Sequence, residues 1–282
     1  MPTFDTPEAI SATAHVEAGS IQFTAGDRLD TVVEVRPRDP KKDLDVRTAD
    51  QTEVTYASGV LTVRTPKPNL FGLGRIGTVD VTVELPTGSR IDTTGAWAQV
   101  LGEGRLGEVR VKTSSGDVRL DTTGPLQLTA SHGSITVDRV EGTAEITTST
   151  GSLRVGLLDG PAVLKNSHGT TTVGAATGEL RVNNANGDIE IRRAEDSVTA
   201  TTAHGTVRVD EVAGGTVQLE TSYGAIDVGV REGTAAWLDV RSSSGQVRNA
   251  LTASEGPETA EDTVKIRART RYGNIDIRRA KA

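Results

Sequence analysis

Residues 126–142 read LQLTASHGSITVDRVEG, and the chain then writes the same sentence four more times. The copies are AEITTSTGSLRVGLLDG at 144–160, AVLKNSHGTTTVGAATG at 162–178, LRVNNANGDIEIRRAED at 180–196 and VTATTAHGTVRVDEVAG at 198–214. One glycine anchors each copy: Gly133, Gly151, Gly169, Gly187 and Gly205, spaced by 18 residues. Gly116 precedes them by 17, and Gly224, Gly245 and Gly273 follow at intervals of 19, 21 and 28. A fixed period of this length is the signature of a solenoid, in which each repeat buries its apolar face only against its neighbours.

Counted from the anchor, apolar residues stand seven and five before it and two and four after it. Leu126, Leu128, Ile135 and Val137 do so in the first copy, and Leu180, Val182, Ile189 and Ile191 in the fourth. A spacing of two is that of a strand with one face turned inward. A further small apolar residue recurs seven after the anchor, as Val140, Leu158, Ala176, Ala194 and Val212. Each rung is therefore expected to hold two short strands, with a third very short one at this last position. Glycine belongs at the corners because it reaches positive φ without a Cβ clash. The prediction is an all-β fold: a parallel β-solenoid (β-helix) with about 18 residues per rung. The seven-and-five spacing of Leu128, Ile135 and Val140 fits a right-handed or two-sided coil better than a left-handed helix of hexapeptides. Outward positions such as Arg119, Glu145, Arg181 and Asp227 mix both signs, as a solvated face does.

Composition agrees. Aromatic residues are only 3% of the 282, while glycines number 31. A solenoid core of stacked Val, Ile, Leu and Ala needs few large rings. The net charge of -7 argues against nucleic acid as a main partner, because phosphate binding requires a basic face. With no cysteine, disulfides and thiolate chemistry are excluded. The opening MPTFDTPEAI has neither the basic nor the apolar segment of a signal peptide, and no apolar run of 18 residues occurs. The expectation is a cytoplasmic protein with no membrane span.

Residues 1–90 break the period but still alternate as strands, for example Val79-Asp-Val-Thr-Val-Glu-Leu85. They are read as an irregular N-terminal β module that caps the solenoid, with the solenoid repeats occupying 91–282. The repeat starts at Ile91 with a degenerate rung. Ala98 takes the anchor place there, and Trp97 is expected to pack at the junction with the cap. Between Pro66 and Gly77 the chain reads PKPNLFGLGRIG, placing Leu70, Phe71, Leu73 and Ile76 in a loop. Two readings stand: a satellite core under the module, or an exposed contact for a partner or a second copy.

Motifs that carry chemistry are few. Gly72-Leu-Gly-Arg-Ile-Gly77 and Gly102-Glu-Gly-Arg-Leu-Gly107 match a dinucleotide fingerprint, but neither leads into a helix. No catalytic, metal or cofactor residue is assigned. His132, His168 and His204 recur just before the anchor, 36 residues apart. Two rungs separate them by about 9.6 Å, too far for one zinc ion. They read either as members of a polar corner ladder or as part of a binding edge. That edge would comprise Ser131, His132, Ser167, His168, Asn186, His204 and Tyr223. Such a row of hydroxyls, amides and rings suits a carbohydrate or an extended peptide.

Several stretches together resemble a bacterial adhesin-like class of β-strand-repeat proteins, a domain family of unknown function frequent in actinobacteria. These are PEAISATAHVEAGSIQF at 7–23, LFGLGRIGTVDVTVELPTGS at 70–89, KTSSGDVRL at 112–120, NNANGDIEI at 183–191, AAWLDVRSSSGQVRN at 235–249 and RTRYGNIDIRRA at 269–280. The resemblance spans nearly the whole chain. It implies a β-solenoid and supplies no catalytic residue. The function expected is that of a non-enzymatic binding or scaffold protein presenting a regular polar surface to a protein or carbohydrate partner. The alternatives are a self-assembling, bactofilin-like filament and, behind it, a β-helix enzyme. Oligomerisation through the apolar loop or a solenoid end belongs to the same expectation.

Overall fold

The computed structural model describes residues 1–66, 77–251 and 262–280. Leu70, Phe71, Leu73 and Ile76 lie outside the described residues. The chain forms a parallel β-solenoid, as the period requires, and divides into two units, Met1–Glu141 and Gly142–Ala282.

The first unit contains β1 (Thr3–Asp5), β2 (Ser11–His15), β3 (Ala18–Gly26), β4 (Asp30–Pro37), α1 (Asp43–Asp50), β5 (Glu53–Ala57), β6 (Val60–Arg64) and β7 (Val79–Pro86). It continues with β8 (Arg90–Arg105), β9 (Val109–Ser115), β10 (Val118–Thr123), β11 (Leu126–His132) and β12 (Ile135–Glu141). β9 and β11 stack in parallel with Val109 against Leu126, and β10 and β12 with Val118 against Ile135. The long β8 serves both columns: Ile91 pairs with Val109 and Val100 with Val118. β2 and β3, early in sequence, are not outermost. β2 lies between β6 and β8, and β3 between β7 and β8. Antiparallel strands finish this end, with β5 on β6, β4 on β7 and β1 on β4. Such a finish covers the open rungs of a parallel stack.

The helix α1 has no counterpart in the strand reading of this region. Its segment DLDVRTAD is too polar and too short to announce itself by periodicity. It is held by tertiary contacts: the buried Asp45 carboxylate accepts the backbone N–H of Thr78 at 2.9 Å and of Asp39 at 3.2 Å. Among the described residues no helix is long and apolar enough to cross a membrane.

The second unit contains β13 (Ala144–Thr150), β14 (Leu153–Asp159), β15 (Ala162–His168), β16 (Thr171–Ala176), β17 (Leu180–Asn186), β18 (Ile189–Ala194) and β19 (Val198–His204). It continues with β20 (Val207–Val212), β21 (Gly215–Tyr223), β22 (Ile226–Val230), β23 (Thr234–Ser244), β24 (Val247–Asn249), β25 (Asp262–Tyr272) and β26 (Ile275–Arg279). Up to β22 the rungs stack in chain order, odd strand on odd and even on even. There the order inverts. β21 pairs with β25, and β25 with β23. The rung that is last in sequence thus sits inside the one before it. This explains the irregular late intervals: Gly224 donates its N–H to Tyr272 O at 3.0 Å, and Gly273 donates to Ser244 O at 3.0 Å. Each terminal segment of the solenoid is therefore laddered on both sides.

Two strands per rung are seen, not three. The apolar residue seven after the anchor lies on the second strand itself, beyond a bend. In the β18–β20 pair the register holds from Ile191↔Val209 through Arg193↔Glu211, but two successive outward residues break the alternation before Ala194 and Val212 turn inward.

The apolar template is buried as expected; Leu164, Leu180, Val182, Ala200 and Val217 are all essentially inaccessible. A polar position completes it. Three residues before most anchors the solenoid carries a Thr, Asn or Ser whose side chain donates to the anchor carbonyl of the adjacent rung, as Thr113 does to Ala98 O at 3.4 Å. Ala130 takes this place before Gly133, and the buried Thr148 hydroxyl before Gly151 makes no such bond. Asn166 reaches Gly151 O at 3.0 Å, Asn184 reaches Gly169 O at 3.2 Å and Thr202 reaches Gly187 O at 3.1 Å. Thr221 reaches Gly205 O at 3.0 Å and Thr270 reaches Gly224 O at 3.0 Å, while Ser242 reaches Gly273 O at 2.8 Å. The glycine is dictated twice over. Gly187 has φ +137°, and a Cβ there would stand 2.1 Å from Gly169 O.

On the outer surface, ion pairs tie rungs together. Arg231 bridges Glu195 at 2.9 Å and Glu211 at 2.5 Å. The hydrogen bond from Arg231 holds the Glu195 carboxyl below the usual glutamate range, and the guanidinium is raised in turn by Glu195 and Glu211.

Three outcomes are expected. Thr202→Val keeps the shape but strands the Gly187 carbonyl, and should cost about 1–3 kcal/mol in urea denaturation; Thr201→Val, one residue away and half-exposed, should cost far less. Gly187→Ala should cost about 3 kcal/mol or more, from a disfavoured φ combined with a backbone clash, and lower the melting temperature accordingly. Glu195→Gln should cost only about 0.5 kcal/mol at pH 7, since both partners are about a third exposed. Because the folded-state pKa of Glu195 is lowered, this contribution is complete above the ordinary value of 4.5 and is lost as pH falls through the folded value. Denaturation curves of the two proteins should therefore converge as pH falls through that folded value.

Candidate corner column

The residue immediately before each anchor is set by the lock beneath it. With the side chain three before the anchor turned in and the glycine turning the chain, the intervening pair is pushed to the corner. The side chains there are in register from rung to rung. In the first unit Trp97 aligns with Ser115, and Ser115 with His132. Trp97 is 62% exposed, so it does not pack at a junction; its place in the corner column turns the indole to solvent.

In the second unit the column is longer. Thr150, His168, Asn186, His204, Tyr223, Tyr272 and Ser244 follow one another as Cα partners. The rings of His204 and Tyr223 stack with centroids 5.0 Å apart and planes 4° from parallel. Tyr223 and Tyr272 repeat this at 5.0 Å and 6°. Parallel stacking at the rung spacing is favourable by about 0.5–1.5 kcal/mol per pair. It also leaves ring edges and hydroxyls facing outward: Tyr223 is 51% exposed and Tyr272 54%.

Of the predicted edge residues, Ser131 and His132 belong to the first unit. Ser167, His168, Asn186, His204 and Tyr223 belong to the second, and the last four form one column there. Ser167 is exposed beside His168, one position earlier on β15. Sequence reasoning missed Tyr272, because chain order places Ser244 next to Tyr223. A signal existed in the matching phrases SYGAIDV at 222–228 and RYGNIDI at 271–277.

Two aspartates just after anchors have structural partners. Asp117 Oδ1 accepts the Ser134 N–H at 2.8 Å, and Asp188 Oδ1 accepts the Thr206 N–H at 2.7 Å. Both close the corner onto the adjacent rung. The resolved carboxylate shifts run downward. Arg28 lowers Asp30; at Asp80 burial opposes ionisation, but hydrogen bonds from Arg38 and Ser20 outweigh it. These groups are held ionised, the reverse of what a general acid needs.

Gly102-Glu-Gly-Arg-Leu-Gly107 lies on β8 and the turn into β9, with no helix to receive a phosphate. Among the described residues no group of three or more His, Asp or Glu side chains is arranged to hold a metal ion.

No curated protein matches this sequence. Among solved structures, a "putative adhesin" of Bacteroides fragilis is 14% identical, with 98% of this chain and 95% of that one covered at a TM-score of 0.36. A "putative adhesin" of Parabacteroides distasonis is 13% identical, with coverage of 98% and 95% and a TM-score of 0.35. A "putative lipid binding protein" of Parabacteroides distasonis is 11% identical, with coverage of 99% and 96% and a TM-score of 0.29. The sequence profile of the Toastrack DUF4097 family matches residues 15–280, and the chain belongs to that family.

Proposed function

We propose that this chain is a non-enzymatic binding or scaffold protein whose contact surface is the corner column of the second unit. One observation carries the reading. Asn186, His204, Tyr223 and Tyr272 stand in strict register with their polar edges outward, on a backbone that allows no slippage. A solenoid of this kind offers a regular surface to an extended partner. The column displays one amide, one imidazole and two phenols at successive rungs, roughly 4.8 Å apart. Each can donate and accept hydrogen bonds. The stacked rings are already immobilised, so a partner binds them with little further loss of side-chain entropy. A carbohydrate or an extended polypeptide has the matching repeat of polar groups.

The stacked members contribute more to the surface than the histidines alone. Replacing His204 and Tyr223 together by alanine should abolish capture of the partner by the immobilised full-length protein, from a glycan array or from lysate. The melting temperature should change by only a few degrees, since both side chains are exposed. His132→Ala, in the first unit, serves as the comparison. Capture that survives loss of both His204 and Tyr223 side chains would reduce the column to a structural ladder.

A further inference from the structure

One residue inside the corner, the outer face of the rungs that carry His204, Tyr223, Tyr272 and Ser244 holds a groove of about 350 Å³. Its walls come from β19, β21, β25 and β23, and include Thr201, Ser222, Ser243, Arg241, Arg269 and Arg271. None of its lining residues is aliphatic or aromatic. The charges are placed against their own interest. Arg241 lies directly across the ladder from Arg269, and like charges in that position are destabilising. Arg269 has one relief, the Asp239 carboxylate at 2.9 Å. Among the described residues Arg241 and Arg271 make no ion pair. Glu220 is the one carboxylate in the wall, across the ladder from Arg269. Three guanidiniums thus meet one carboxylate, in a protein whose net charge is -7.

Beside this groove the ring column stops. The rung beyond Tyr272 has Ser244 in register. One face of Tyr272 is therefore covered by Tyr223, while the residue in register on its other side, Ser244, carries no ring. The place of a fourth ring is open at the end of a stack whose repeat is 5.0 Å.

We infer that this groove binds an acidic saccharide, a chain of pyranose units bearing carboxylates. Arg241 and Arg271 take the carboxylate in the paired geometry that guanidinium favours. The hydroxyls of Thr201, Ser222 and Ser243 exchange hydrogen bonds with the sugar hydroxyls. The open face of Tyr272 receives the flat apolar face of one ring, in the place that Ser244 leaves. The wall brings no aliphatic or aromatic side chain, which favours a saccharide over a peptide that carries apolar side chains. This assignment deepens the binding reading above and rests on it.

The test is calorimetric titration of the full-length protein with tri-galacturonic acid. The fully methyl-esterified trisaccharide and a hexaglutamate peptide are the comparison ligands, at low and moderate salt. The free acid should bind, weaken with salt, and outbind both others by at least about tenfold, the value of one or two charge-assisted hydrogen bonds. Arg241→Gln with Arg271→Gln should abolish that preference. Tyr272→Ala and Ser244→Trp, which remove or fill the ring place, should each weaken binding severalfold. Arg192→Gln, an exposed cation on β18, should change nothing. Circular dichroism of each variant confirms that the fold is retained. Equal binding of the ester or the peptide, indifference to the Arg241 and Arg271 changes, or no uronate binding at all would overturn the assignment. If one of these occurs while partner capture still depends on His204 and Tyr223, only the groove is lost and the corner column stands.

Discussion

The structure depends on one corner. At Gly187 the chain turns with φ +137°, close enough to the rung below that a Cβ would meet Gly169 O at 2.1 Å. The buried Thr202 hydroxyl then comes across from the rung above to the Gly187 carbonyl at 3.1 Å. The two constraints are reciprocal. Glycine lets the backbones approach, and the approach brings a carbonyl into an interior where it would otherwise lack a partner. A Thr, Asn or Ser three places before the next anchor satisfies it. Repeated from Asn166 to Thr270, this lock fixes rung spacing and register together. A one-residue slip would carry a hydroxyl away from its carbonyl and an aliphatic side chain out of the core.

The surface columns follow from that rigidity. Side chains one and two places before the anchor have no freedom to drift along the stack, so they form columns rather than scattered groups. His204, Tyr223 and Tyr272 stack because the rung distance is close to a favourable ring distance. Arg241 and Arg269 oppose each other because register leaves them no alternative. A solenoid thus turns a linear sequence into rows of like or unlike chemistry. What a row binds depends on which residues the rungs place side by side.

Much of this was legible in the residues. The period, the inward aliphatic positions and the glycine corners all show in LQLTASHGSITVDRVEG and its copies, since each rung repeats the same local requirement. The corner column was visible as far as Tyr223. The polar lock was not recognised, because Thr113, Asn184 and Thr202 look like ordinary polar strand residues until their acceptors, a rung away, are seen. Trp97 was misplaced for a related reason: its size suggested burial, while its register with Ser115 puts it at the exposed corner. The helix Asp43–Asp50 carries no periodic signal and is held by the Asp45 contacts.

The sequence by itself determined the rung, because strand alternation and glycine turns are local properties that each repeat states in full. The tertiary structure alone decided the order of the rungs at the ends. Chain order offers Gly245 as the neighbour of Gly224. Gly273 meets the template more fully, with Ile275 and Ile277 after it where Gly245 has Val247 and Asn249, but only the pairing shows that its rung takes the inner place, laddered on both sides. β25 is set between β21 and β23, just as β2 is set between β6 and β8 at the other end. That choice also places Tyr272 against Tyr223 and Arg241 across from Arg269. The candidate site is therefore a product of non-sequential pairing, which no pattern within a single repeat records.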